Sequence, residues 1–115
     1  MAGDTEKIWQ QPPSFNGQNY DTWAKKMKTI MVANDLWDFV INGFNDVTDP
    51  TQYATLTNAQ KTHLKESRRK DAKALSLIEA TMTEIVFPKI AAANYAKEAW
   101  DILETTSRGL IRCVQ

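Results

Sequence analysis

The chain has 115 residues, enough for one domain and too few for two comfortable cores. Fourteen basic side chains balance fourteen acidic ones, so no global field favours nucleic acid or membrane, and any basic site has to be local. The single cysteine, Cys113, excludes an internal disulfide and a cysteine-rich zinc site, and it fits a reducing compartment.

Residues 1–19 read as an N-terminal arm. Met1 to Lys7 is polar and lacks the apolar region of a signal peptide. No apolar run anywhere approaches the ~20 residues that a membrane span needs. The expectation is therefore a cytoplasmic protein, or a nuclear one, with no membrane partner. Ile8 and Trp9 are apolar, and Pro12-Pro13 stops any helix. A tryptophan in such an arm either packs back onto the body or meets a partner, because an exposed indole is costly. Next comes Phe15-Asn16-Gly17-Gln18-Asn19-Tyr20-Asp21-Thr22-Trp23, three aromatics around a glycine turn. Placed before a helical pattern, Phe15, Tyr20 and Trp23 read as a staple that holds the arm and starts the core.

The first helix is predicted to begin near Asp21, with Asn19 or Asp21 as its cap. Tyr20, Trp23, Ala24, Met27, Ile30 and Met31 recur at three- and four-residue spacing and form one face. Lys25, Lys26 and Lys28 lie mostly off it. Asn34 and Asp35 interrupt the pattern. Leu36, Trp37, Phe39, Val40 and Ile41 then make a short apolar helix that Gly43 ends. Residues 42–56 are predicted as a loop, with Tyr53 and Leu56 packing back under it.

Thr57 and Gln60 have capping-box spacing and open the longest helix, about 58–80. Its apolar face is read as Leu64, Ala72, Leu75, Ile78 and Met82. Thr81-Met82-Thr83-Glu84 has the same box spacing and suggests a new short helix that ends at Phe87, because Pro88 disfavours helix just before it. Asn94 is the expected cap of the last helix, which buries Tyr95, Ala99, Trp100, Ile102 and Leu103. Thr105 to Gly109 ends it, and 107–115 is a tail. No segment alternates like a strand. The expected fold is all-α, with about five helices in a domain over 20–106. Phe15, Gly17, Tyr20, Trp23, Trp37 and Trp100 are its structural anchors.

Chemistry is sparse. His63 stands alone on an exposed helix face, with no second histidine or nearby cysteine for a metal site. A nucleophile needs a base held by a third group, and no such set exists. The four glycines are isolated, so no phosphate loop forms. Asp35 with Asp38, and Glu98 with Asp101, sit at helix-surface spacing and look like solvated faces. The expectation is a non-enzyme with no cofactor and no metal. The sharpest charge feature is Lys61, Lys65, Arg68, Arg69 and Lys73 on the long helix. The first four line one side and could touch RNA phosphates or an acidic partner, or they form an ordinary solvated face. No aromatics interleave them for base stacking, and Glu66 and Asp71 dilute them. A helix-turn-helix reading lacks its glycine-containing turn.

The ordered set Phe15-x-Gly17-x-Asn19-Tyr20-x-x-Trp23, Lys26-Met27 and Leu36-Trp37-Asp38-x-Val40 resembles the N-terminal Gag segment of copia-type (Ty1/copia) LTR retrotransposons. Lys70-Asp71-Ala72-Lys73-Ala74-Leu75-x-Leu77-Ile78 and Ala96-Lys97-Glu98-Ala99-Trp100-Asp101-x-Leu103-Glu104 follow in that family's order. The resemblance covers roughly residues 9–106. It implies a helical bundle like the N-terminal lobe of a retroviral-type capsid protein, a structural role through self-association around RNA, and a plant source. The second capsid lobe and the zinc knuckle of a full Gag are missing from this sequence. That leaves a Gag fragment, or a host-retained adaptor that binds a host protein, as alternatives. Self-contact is expected at Ile8 and Trp9 of the arm and at Lys25 and Lys28 of the first helix.

Overall fold

The computed structural model describes residues 13–114, and among them it is all-α with six helices. These are α1 (Tyr20–Ala33), α2 (Trp37–Asn42), α3 (Pro50–Ala54), α4 (Asn58–Ala80), α5 (Phe87–Ile90) and α6 (Ala96–Val114). The last helix packs on α4, α2 and α5, and α2 also contacts α4 and α1. Ile8 and Trp9 lie outside the described residues.

The arm enters the core at Phe15. Its N–H donates to the Thr81 carbonyl at 2.8 Å, and its carbonyl accepts from the Thr83 N–H at 3.2 Å. This single parallel bridge to Met82 places the Phe15 ring against the helices. Gly17 then turns at φ +95°, a conformation that L side chains rarely adopt. Asn19 precedes α1, but its side chain does not cap the helix. Instead Asn19 Nδ2 donates to the Ser14 carbonyl at 2.9 Å, and Oδ1 accepts from the Asn16 N–H at 3.2 Å. The expected cap is thus used to shape the arm.

α1 buries Trp23, Met27 and Met31, the face that its apolar spacing predicts. Asp35, at φ +58°, breaks the chain between α1 and α2. Gly43 ends α2 at φ 68° and ψ −159°. The five predicted aromatic anchors join in one stack. Phe15 stacks on Trp23 at 5.0 Å between ring centres, and Trp23 stacks on Trp100 at 4.9 Å. Trp37 meets Trp100 edge-on at 5.3 Å, and Tyr20 meets Phe15 edge-on at 6.1 Å. The stack therefore ties the arm, α1, α2 and α6 together. Trp23 also donates its indole N–H to Thr81 Oγ1 at 2.9 Å.

Five expectations need correction. The predicted 42–56 loop contains α3, which Asp49 caps by accepting from the Thr51 N–H at 2.9 Å. Tyr53 on that helix is exposed, with Lys61 Nζ 5.1 Å from its ring centre. The second capping box does not form. Thr81 instead donates to the Ile78 carbonyl at 2.7 Å and closes α4. Phe87 begins the next helix rather than ending one, because Pro88 sits in the first turn, where a missing N–H costs nothing. Finally, α6 runs on through Gly109 to Val114.

α4 follows its predicted bounds, and both bonds of the Thr57/Gln60 box are present, at 3.1 and 2.8 Å. Its buried face differs from the predicted one. Leu64, Ser67, Asp71, Ala74 and Ile78 face inward, whereas Ala72 is exposed and Met82 falls beyond the helix. The buried face contains two polar residues, so a count of apolar side chains alone rotates it.

Candidate interaction surface

Two polar locks hold the last helix against α4. In the first, Asp46 accepts from the Tyr95 hydroxyl at 2.7 Å and from Arg68 Nε at 2.7 Å, while Arg68 Nη2 donates to the Val47 carbonyl at 2.8 Å. Partial burial pushes the Asp46 carboxyl up, but the bonds from Tyr95 and Arg68 outweigh it and hold the group below its usual range. The same bond to Asp46 raises the Tyr95 phenol. Tyr95 in turn packs edge-on against Phe44 at 5.7 Å, and Phe44 against Phe39 at 6.1 Å.

The second lock is Asp71, 2% exposed on α4. Its two oxygens accept from the Ala96 N–H at 3.4 and 3.2 Å. The first turn of α6 is thus capped from a neighbouring helix, and the predicted side-chain cap, Asn94, is displaced from that role. Asn94 uses its own N–H to reach Glu98 Oε1 at 3.4 Å. Burial raises the Asp71 carboxyl, the Ala96 N–H lowers it in part, and the charges of Asp46 and Glu98 add to the rise. A buried acid with a raised pKa often marks a functional site. Here an open groove of about 320 Å³, lined by Phe44, Leu75 and Tyr95, lies over both acids. The capping bond accounts for Asp71, and the Tyr95 hydroxyl in the same lining is engaged by Asp46.

The basic stripe does not stand as one free surface. Arg68 is held by Asp46, and Arg69 grips Glu66 with bonds of 2.6 and 3.3 Å. That bond, foremost, lowers Glu66 and raises Arg69. Lys61 lies over Tyr53, whereas Lys65 and Lys73 are exposed further along α4. His63 is exposed on α4 as well, and among the described residues no cluster of His, Cys, Asp or Glu could hold a metal. Asp101 pairs with Lys97 at 2.8 Å on the surface of α6. Among the described residues no helix is long and apolar enough to cross a membrane.

Among the described residues, a further exposed surface lies on α1. Lys25, Lys28, Thr29, Val32 and Ala33 line a groove of about 370 Å³ on its outer side. Lys28 Nζ sits 5.5 Å from the Trp37 ring centre at the groove's edge. The two α1 lysines of the expected self-contact therefore share one depression with Val32, which is 53% exposed. The turn before α5 raises Ile85, 78% exposed, out of the surface, and Phe87, the first residue of α5, is 39% exposed beside it. Sequence reasoning passed over Ile85. Its signal was an apolar side chain inside a turn with no helical partner.

A family model described as a domain of unknown function, DUF4219, matches residues 15–41. The match begins at Phe15 and ends in α2, so it spans the arm entry, α1 and α2, which supply four of the five stacked rings. That domain is found in retrotransposon Gag-like proteins. No curated protein and no solved structure matches the chain.

Proposed function

We propose that this chain is a non-enzymatic structural domain of a copia-type retrotransposon Gag, the N-terminal capsid-like region, and that it works by associating with copies of itself in the cytoplasm. The observation that carries this reading is the DUF4219 match over Phe15 to Ile41, a segment that makes a rigid, aromatic-stapled unit. The residues outside that match continue the same family resemblance in order, through the α4 and α6 strings. A stapled core suits a shell subunit, because contacts that are weak singly act by repetition only when the surfaces are held in fixed relation. The outer groove of α1 and the raised turn before α5 supply surfaces for such contacts. The RNA reading has less support, since Arg68 and Arg69 already bind carboxylates of this chain.

Sedimentation velocity at rising concentration, with electron microscopy of the densest samples, tests the proposal. Reversible growth of larger species is expected. A strictly monomeric protein at about 1 mM, the weak end of useful affinity, overturns it.

A further inference from the structure

We infer that self-association is head-to-tail, with the Glu84-Ile85-Phe87 turn of one copy seated in the α1 groove of the next. The inference rests on the self-association reading above. Ile85 is the most exposed large apolar side chain in the described fold, and Phe87 beside it is also open to water. Such a pair, raised on a turn, makes a convex apolar point. The α1 groove is its counterpart: a shallow strip along one helix face, with Val32 and Ala33 in its lining.

Charge agrees with shape. Glu84 adjoins Ile85 and is exposed, whereas the described residues that line the groove include Lys25 and Lys28 and no acid. Lys89, which follows the turn, lines a separate small cleft with Gly17, Val86 and Leu103. Opposite charges across an interface set its register, and a like-charged pairing of two grooves is penalised.

The two surfaces cannot satisfy each other within one copy. Val86 touches the Gly17 turn, which places the raised turn near the N-terminal end of α1. Val32 lies twelve residues along that helix from Tyr20, which is roughly 18 Å at the rise of an α-helix. A point at one end and a groove at the other make a heterologous contact, which propagates as a ring or a filament.

Ile85→Asp and Val32→Asp each destroy one half of the contact. Both sites are exposed, and circular dichroism checks that each variant keeps the wild-type helix content. Each variant alone is expected to weaken association at least about tenfold. An equimolar mixture is expected to form a 1:1 dimer and stop there, because one variant keeps its groove and the other its turn. Lys28→Glu should weaken association, and adding Glu84→Lys in the same chain should restore it. If wild type assembles and both Asp variants assemble equally well, the head-to-tail contact is wrong and self-association stands. If each variant is monomeric and the mixture is too, the contact is not head-to-tail. A wild-type protein that is monomeric throughout overturns the underlying reading and this one with it.

Discussion

Replacing Trp23 by Ala removes the centre of the aromatic stack. The ring has no exposed surface and lies between Phe15 and Trp100, with ring centres 5.0 and 4.9 Å away. Truncating a buried tryptophan costs about 3–5 kcal/mol, because transfer free energy is lost and the cavity collapses only in part. The structure places this site at the upper end. Collapse would have to move the arm, α1 and α6 together, since each supplies a wall. The indole N–H bond to Thr81 Oγ1 at 2.9 Å goes too, at about 1 kcal/mol. The total, about 4–6 kcal/mol, approaches the whole stability of a domain of this size. At roughly 4 °C per kcal/mol, the melting temperature should fall by about 16–24 °C, if the variant folds at all. Thermal and urea unfolding followed by circular dichroism measures it. Trp23→Phe keeps most of the ring volume and deletes the hydrogen bond, so it should lose much less. A fall of under about 3 °C for Trp23→Ala would refute the claim that this stack joins the elements.

Asp71→Asn keeps an acceptor for the Ala96 N–H and removes a buried charge. Because the folded carboxyl is raised, its contribution to stability is present below the unfolded pKa and is lost as pH rises through the folded one. The Asn variant should therefore melt no lower than wild type at pH 7, and it should lose that part of the pH dependence. Asp71→Ala, which has no cap, should lose about 1–2 kcal/mol, and equal melts for the Asn and Ala variants would contradict the capping role. Asp46 behaves oppositely: its lowered carboxyl contributes stability above its unfolded value, and that is lost as pH falls through the lower folded one. Tyr95→Phe keeps the ring on Phe44 but cuts the bond to Asp46, so it should cost about 1 kcal/mol at this half-exposed site and shrink the acid-side loss in melts taken below pH 4. Gly43→Ala should cost about 1–3 kcal/mol in urea unfolding, because φ 68° with ψ −159° is a glycine conformation and the new Cβ would stand 3.3 Å from Lys97 Cδ. No measurable change there would mean that the α2 terminus relaxes freely.

The sequence by itself determined the all-α class, the bounds of α4 and the inward face of α1. Each follows from short-range physics: helical periodicity, a Thr/Gln box that satisfies orphan N–H groups, and aromatics too costly to leave in water. The aromatic anchors were legible for the same reason, although their order in the stack was not. Only the tertiary structure decided which polar groups serve which helix. Asn19 looked like a cap and shapes the arm, whereas Asp71, read as a charge that dilutes the basic stripe, caps α6 from 25 positions away in the chain. Thr81, read as the start of a helix, closes one and receives the Trp23 indole. Arg68, read as part of a free basic stripe, is bound to Asp46. A short polar side chain has several partners of similar local energy, and chain neighbours cannot choose among them. Burial makes an unpaired polar group expensive, so the packing of distant helices makes the choice. The raised Ile85 turn has the same origin, since its exposure depends on where the helices on either side of it dock.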